Sequence, residues 1–214
     1  MIVPKPAGVI FDLDGTLLDT LDDIVLALQK TLRRHGLEVP DGAAIARMVG
    51  DGARVLVGRA ISRSAEDPLV SAVCQTFLEL YTADPTPRTR LGDGADALLA
   101  ALATRGIPAA VCTNKPGPLA RTIVARMLGS RIVATVGGGD TAHLKPHPEP
   151  VLAAMAALDA RAPLWMVGDG EQDMVAAHSA GITSILLREG YGSRSRIGEA
   201  NLVIDRLDEL IPYL

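Results

Sequence analysis

The chain has 214 residues, 48% of them hydrophobic and only 3% aromatic, which allows one large domain, or a domain carrying an insertion, around an aliphatic core. A net charge of −4 with scattered basic residues gives no electrostatic case for nucleic-acid binding, and no apolar stretch approaches membrane-spanning length. Cys74 and Cys112 stand far apart and form no CxxC, and two Asp interrupt the apolar N-terminal run, unlike a secretion signal; a cytoplasmic protein with free thiols is expected.

In chain order, residues 7–11 read as a buried strand. Residues 19–35 follow with apolar positions at helical spacing (Leu21, Ile24, Val25, Leu28, Leu32). Residues 54–61 and 69–81 also read as helices, and the proline-rich stretch 84–87 leads back. Helical patterns at 93–105, 118–128, 149–158, 174–180 and 207–210 then alternate with aliphatic runs at 107–112, 164–167, 182–187 and 202–204. Continuous apolar runs suit parallel strands covered on both faces, so the pattern predicts an α/β fold with a doubly wound sheet. One connection breaks the rhythm: roughly eighty residues without a convincing strand separate the first strand from Asp93, far beyond an ordinary crossover. An all-helical insert over 18–88, with a core made of 1–17 and 89–214, is the economical reading.

Gly-Asp-Gly occurs three times, at 50–52, 92–94 and 168–170, and as a tripeptide signals only a turn. Context separates the copies. The first lies in the helical insert, and the second opens a helix. The third follows the run Leu164 to Val167, where a strand ends, with Asp173 one turn into the next helix. Three further stretches also sit near strand ends or in rigid loops. Asp12 and Asp14 follow the first strand and would be turned the same way by strand alternation. Thr113 and Asn114 follow the second strand, where a hydroxyl, an amide and backbone N–H groups suit an anion. Lys145 precedes Pro146-His147-Pro148, whose prolines stiffen the backbone. In a parallel sheet, strand carboxyl ends face the ligand crevice. Clustered carboxylates need a cation or a shared proton to compensate them, and oxygen ligands without His or Cys suit Mg²⁺.

These stretches, Asp12-x-Asp14-Gly15-Thr16, Thr113-Asn114, Lys145-Pro146 and Gly168-Asp169-x-x-x-Asp173, resemble in order the four motifs of the haloacid dehalogenase superfamily of phosphohydrolases. The resemblance implies a Rossmann-like core with the helical insert as a mobile cap. It implies Asp12 as nucleophile and Mg²⁺ ligand, and Asp14 as general acid and base that gives the metal its backbone carbonyl. Thr113 and Asn114 would hold phosphoryl oxygens, Lys145 would bridge nucleophile and phosphate, and Asp169 would ligate Mg²⁺. Asp173 would support Lys145 or a metal-bound water. Val49-Gly50-Asp51-Gly52, Thr113-Asn114-Lys115-Pro116, Gly137-Gly138-Gly139-Asp140 and Lys145-Pro146-His147-Pro148 are similar to the phosphoglycolate phosphatase branch, whose cap loop, here Gly50 to Arg54, reaches over the substrate; the resemblance makes Gly52 and Arg54 candidate substrate contacts, with a solvated Arg54 as the alternative. Gly170, where that branch often has Ser or Thr, and Glu171-Gln172 depart from its pattern.

The resemblance thus implies a Mg²⁺-dependent phosphomonoesterase acting on a small phosphorylated metabolite. A phosphomutase of the β-phosphoglucomutase type and a phosphate-binding regulatory module without turnover are the alternatives. Asp67 and Asp93 are expected as helix caps. His143 and His147 have the spacing of a helical metal pair, but Pro146 and Pro148 oppose a helix, so the pair is set aside. No partner protein or oligomeric state is legible.

Overall fold

The computed structural model describes residues 3–192 and 200–214. Six parallel strands form the sheet: β1 (Gly8–Phe11), β4 (Ala109–Pro116), β5 (Ala134–Gly138), β6 (Leu164–Gly168), β7 (Thr183–Leu187) and β8 (Leu202–Ile204), in the order β5-β4-β1-β6-β7-β8. The chain winds outward from β1 through β4 to β5, then crosses back to the other flank of β1 for β6. This reversal is the switch point at which doubly wound sheets open a crevice.

Strand alternation divides the core in two. Val9, Phe11, Val111, Trp165, Val167 and Ile185 face one layer, while Ile10, Ala110, Cys112 and Met166 face the other with Val151, Ala154, Ala176 and Ala177. Helices α5 (Ala95–Thr104) and α6 (Gly117–Met127) cover the first face, and α7 (Glu149–Leu158) and α8 (Glu171–Ser179) the second. Between β1 and α5 lie four helices, α1 (Leu21–Arg34), α2 (Gly42–Ala46), α3 (Ala53–Ala60) and α4 (Pro68–Ala83). Buried Asp23 of α1 ties this unit to the returning chain, accepting from Arg88 N at 3.1 Å and Thr89 Oγ1 at 2.7 Å.

The parallel α/β architecture is as expected, with local corrections. The segment expected to lack strands carries two at its ends, β2 (Leu18–Asp19) and β3 (Arg90–Leu91), which pair antiparallel. Helix α2 and strand β5 were not anticipated. β5 is an edge strand of sequence Ala-Thr-Val-Gly-Gly, without the apolar run that a doubly covered strand shows. β4 continues past Cys112 through Thr113, Asn114 and Lys115 instead of turning there. Asp67 caps α4 by accepting from Leu69 N at 2.8 Å, but the N-cap of α5 is Gly94, and the Asp93 carboxylate faces Arg206 at 3.6 Å. Among the described residues no helix is long and apolar enough to cross a membrane.

Candidate active site

Asp12 stands directly after β1, its backbone N–H donating to Val167 O at 2.8 Å, so the β1–β6 ladder carries its carboxylate to the sheet's carboxyl edge. There it is buried. Gly15 makes the following turn at a φ of 80°. A Cβ there would lie 2.5 Å from Asp169 Oδ2, so both the left-handed backbone and the close approach require glycine. Asp169 follows β6 and has both oxygens held: Oδ1 accepts from Thr16 Oγ1 at 3.2 Å, Oδ2 from the backbone N–H of Tyr191 and Gly192 at 2.6 and 2.9 Å. Asp173, in the first turn of α8, accepts from Gly170 N at 3.0 Å through Oδ2. Its Oδ1 accepts from Lys145 Nζ at 2.6 Å, and that ammonium also donates to Cys112 O at 2.6 Å.

Asp12, Asp169 and Asp173 thereby form one buried group whose ligand oxygens all lie within 4.8 Å of one another. Lys145 Nζ is 3.0 Å from Asp12 Oδ1 but outside hydrogen-bond alignment, so this buried oxygen has no hydrogen-bond partner. A buried carboxylate oxygen left in this state is costly unless a ligand completes it. Burial, reinforced by the neighbouring Asp12, pushes Asp169 up to about 6. Burial pushes Asp173 up to about 7, with Lys145 opposing and Asp12 adding to the rise. Burial works against the Lys145 ammonium, yet Asp12 and Asp173 together hold it above its ordinary range. The donor set is all oxygen, anionic and short of positive charge. It fits a hard divalent cation.

The Asp14 side chain leaves this cluster. It accepts from Thr20 Oγ1 at 2.6 Å and from Lys115 Nζ at 2.9 and 3.0 Å. Lys115 is buried, donates to Tyr81 Oη of α4 at 2.9 Å, and is held above its ordinary range by Asp14 and Tyr81 despite the cost of burial. A cavity of about 40 Å³ opens beside this pair. Asp12, Asp14, Thr113, Asn114 and Lys115 line it from the sheet; Gly50, Gly52, Leu56, Phe77 and Tyr81 line it from the helical segment. Gly52 approaches the sheet closely: a Cβ there would lie 3.3 Å from Asn114 O, and its φ is 91°.

A family model of haloacid dehalogenase-like hydrolases matches residues 9–187, most of the chain and all the positions above except Tyr191 and Gly192. The chain belongs to this family. The phosphoglycolate phosphatase of Rhodospirillum rubrum is 41% identical to this hydrolase over 195 residues, covering 87% of this chain and 81% of that protein. The phosphoglycolate phosphatase of Pectobacterium atrosepticum is 32% identical over 214 residues, covering 97% and 92%. Among solved structures, a predicted phosphoglycolate phosphatase from Haemophilus somnus superposes with a TM-score of 0.86 at 26% identity and 97% coverage of both chains. CbbY from Rhodobacter sphaeroides, solved with xylulose-1,5-bisphosphate, shares the fold with a TM-score of 0.80 at 21% identity and 96% coverage of both chains. The hydrolase is therefore a phosphatase of the phosphoglycolate phosphatase-like kind, a phosphoric monoester hydrolase.

In this phosphatase, Asp12, Lys145, Asp169 and Asp173 converge, and Asp14, Thr113, Asn114 and Gly52 border the same cavity. Two expectations need revision. The Asn114 side chain has no donor left for a phosphoryl oxygen: Nδ2 donates to Gly50 O and Lys145 O at 3.1 and 2.9 Å, and Oδ1 accepts from Lys145 N at 2.8 Å. It instead ties the helical segment and the Lys145 loop to β4. Arg54 does not line the cavity; its guanidinium donates to Ala65 O at 2.7 Å and Ser71 Oγ at 2.6 Å, so packing among α3, α4 and their connection turns it aside. Lys115, Tyr81 and Tyr191 went unassigned, since their partners are remote in sequence. At the departure Gly170, the Gln172 side-chain amide lies over the glycine, 2.2 Å from where a Cβ would stand.

Proposed function

We propose that the protein is a Mg²⁺-dependent phosphomonoesterase, with Asp12 as nucleophile and a small phosphate monoester carrying a second anionic group, phosphoglycolate foremost, as substrate. The observation that carries this reading is Asp12 Oδ1: a buried carboxylate oxygen that accepts no hydrogen bond, at the end of the central strand, beside two more carboxylates and the buried ammonium it pairs with. Helices α1–α4 are read as a cap over that site, contributing Gly52 and Tyr81.

Asp12, Asp169 and Asp173 would hold the cation, together with the backbone carbonyl of Asp14. It would supply charge neutralisation for the phosphoryl group. Asp12 attacks phosphorus, the leaving alkoxide departs, and an aspartyl-phosphate forms. Lys145 offsets the negative charge that gathers beside Asp12, and Thr113 Oγ1 offers a hydroxyl to the phosphoryl oxygens. Asp14, once protonated, gives its proton to the leaving oxygen; as carboxylate it takes a proton from the water that hydrolyses the acyl phosphate. Among the described residues lining the cavity, Lys115 is the one cation. Its three N–H groups are directed at Asp14 and Tyr81, so it would recognise the substrate's second anion by exchanging one of these bonds for one to that anion, and the small cavity selects a short carbon skeleton.

Phosphate release from phosphoglycolate, ethyl phosphate and hexose phosphates, with Mg²⁺ and with EDTA, tests the reading. Mg²⁺-dependent release that ranks phosphoglycolate first supports it, and absence of release from every monoester sinks it. Lys115→Met sharpens the substrate assignment. Losing a charge-assisted hydrogen bond costs about 1.5–3 kcal/mol, so kcat/KM for phosphoglycolate should fall about tenfold or more beyond any fall for ethyl phosphate. Equal losses on the two would remove Lys115 from anion recognition.

The acidic cluster also sets a pH dependence for the metal-free protein. Folded-state values of about 6 for Asp169 and about 7 for Asp173 lie above the ordinary 3.8, so between those limits the native state binds more protons than the unfolded state. Stability therefore falls as pH rises from about 4 through about 7. In EDTA the thermal midpoint should be lower at pH 7.5 than at pH 5, and Mg²⁺ at pH 7.5 should recover it. A midpoint that does not respond to Mg²⁺ would count against the cluster as the cation site.

A further inference from the structure

Outside the catalytic crevice, the loop that delivers Lys145 carries a second group of donors. His143 and His147 lie on either side of the lysine in sequence, and Glu149 opens α7. The loop is no helix, as the two prolines foretell, yet it brings the two imidazoles together by another route. His147 N donates to Leu144 O at 3.0 Å, folding 144–147 into a turn. The rings stack with centroids 4.0 Å apart and planes 22° from parallel. Glu149 Oε2 sits 2.8 Å from His143 Nδ1 and also accepts from His143 N at 3.1 Å, and Glu149 N donates to His147 Nδ1 at 3.2 Å. One ligand atom from each of the three side chains lies within 4.8 Å of the others.

The three side chains are close and accessible, being exposed or half-buried; because imidazole lone pairs lie in the ring plane, binding one ion turns one ring out of the stack. Pro146 and Pro148 restrict the backbone around His147, which lowers the entropy cost of holding the donors together. The donor chemistry differs from that of the catalytic cluster. Two imidazoles and one carboxylate make a set suited to Zn²⁺, whereas three carboxylates suit a hard cation that keeps water. We propose that His143, His147 and Glu149 form a second metal site, selective for Zn²⁺-class ions and separate from the Asp12 cluster. Three protein ligands leave a fourth position of a tetrahedral ion for water. A bound ion replaces the His143–Glu149 hydrogen bond with coordination and cross-links the start of the Lys145 turn to the first turn of α7. Occupancy therefore fixes the segment that presents Lys145 to Asp12 without touching the reacting atoms.

The test uses the full chain labelled with ¹⁵N-histidine and kept in saturating Mg²⁺, so that the acidic cluster is occupied, and titrated with Zn²⁺. The imidazole resonances of His143 and His147 should shift together and saturate at one equivalent, while His35 and His178 stay unmoved. In His143→Gln/His147→Gln, Zn²⁺ affinity measured by competition with a chromophoric chelator should fall at least about tenfold, with Mg²⁺-dependent phosphate release unchanged. No shift of His143 and His147 at stoichiometric Zn²⁺ would overturn the site. So would a double variant that binds Zn²⁺ as tightly as wild type, because the ion would then lie elsewhere.

Discussion

Asp12→Asn should abolish phosphate release, with kcat reduced by at least about 10⁴-fold, the scale on which enzymes lose activity when a nucleophile is removed. The substitution is nearly isosteric and takes one negative charge out of a group that holds three carboxylates within 4.8 Å. Burial and mutual repulsion already push two of these acids upward, to about 6 and about 7. The metal-free variant should therefore unfold at a midpoint equal to or higher than wild type while its activity disappears. Loss of function with retained or increased stability is the signature of a strained functional site. Phosphate release followed alongside thermal unfolding in EDTA reads both quantities on the same sample. A variant that kept more than about a hundredth of wild-type activity would exclude Asp12 as nucleophile, because a neutral amide cannot form the acyl phosphate.

Lys145→Met should show the opposite balance, a large loss of both stability and activity. The Lys145 side chain is 1% exposed and its ammonium lies within 3.0 Å of Asp12 and 2.6 Å of Asp173. Removing it leaves two buried carboxylates facing each other with no counter-charge, and breaking one side of a buried pair costs about 3–5 kcal/mol. Methionine preserves much of the apolar stem, so the cost reports the charge more than the packing. Adding Asp173→Asn should restore part of the stability, since the second substitution removes the charge that the first left unpaired. Activity should not return, because nothing then offsets charge at Asp12 as phosphate arrives. Urea unfolding of the two variants measures this. A single variant destabilised by less than about 1 kcal/mol would mean that Asp173 and Asp12 are neutralised by other means.

The sequence by itself determined the parallel α/β layering and the placement of acids at strand ends, because both are local signals. Runs such as Gly8–Phe11 and Leu164–Gly168 are apolar at every position since both faces of their strands are covered, and Asp12 and Asp169 follow them directly. The resemblance to a known family links Asp12, Lys145, Asp169 and Asp173, which the folded chain brings together. Tertiary structure decided what depends on groups distant in the chain. Tyr191 reaches Asp169 through its backbone and Asp19 through its hydroxyl, and Lys115 joins Asp14 to Tyr81. No spacing rule links such positions, because their proximity arises only when the strands pair and the helical segment closes against them. Arg54 shows the same limit in reverse. Its position in the chain suggests substrate contact, but a side chain of that length follows the strongest acceptors within reach, here Ala65 O and Ser71 Oγ. Strand β5 stayed hidden because an edge strand needs no apolar run, and the two-residue strands β2 and β3 because a pattern that short carries no period.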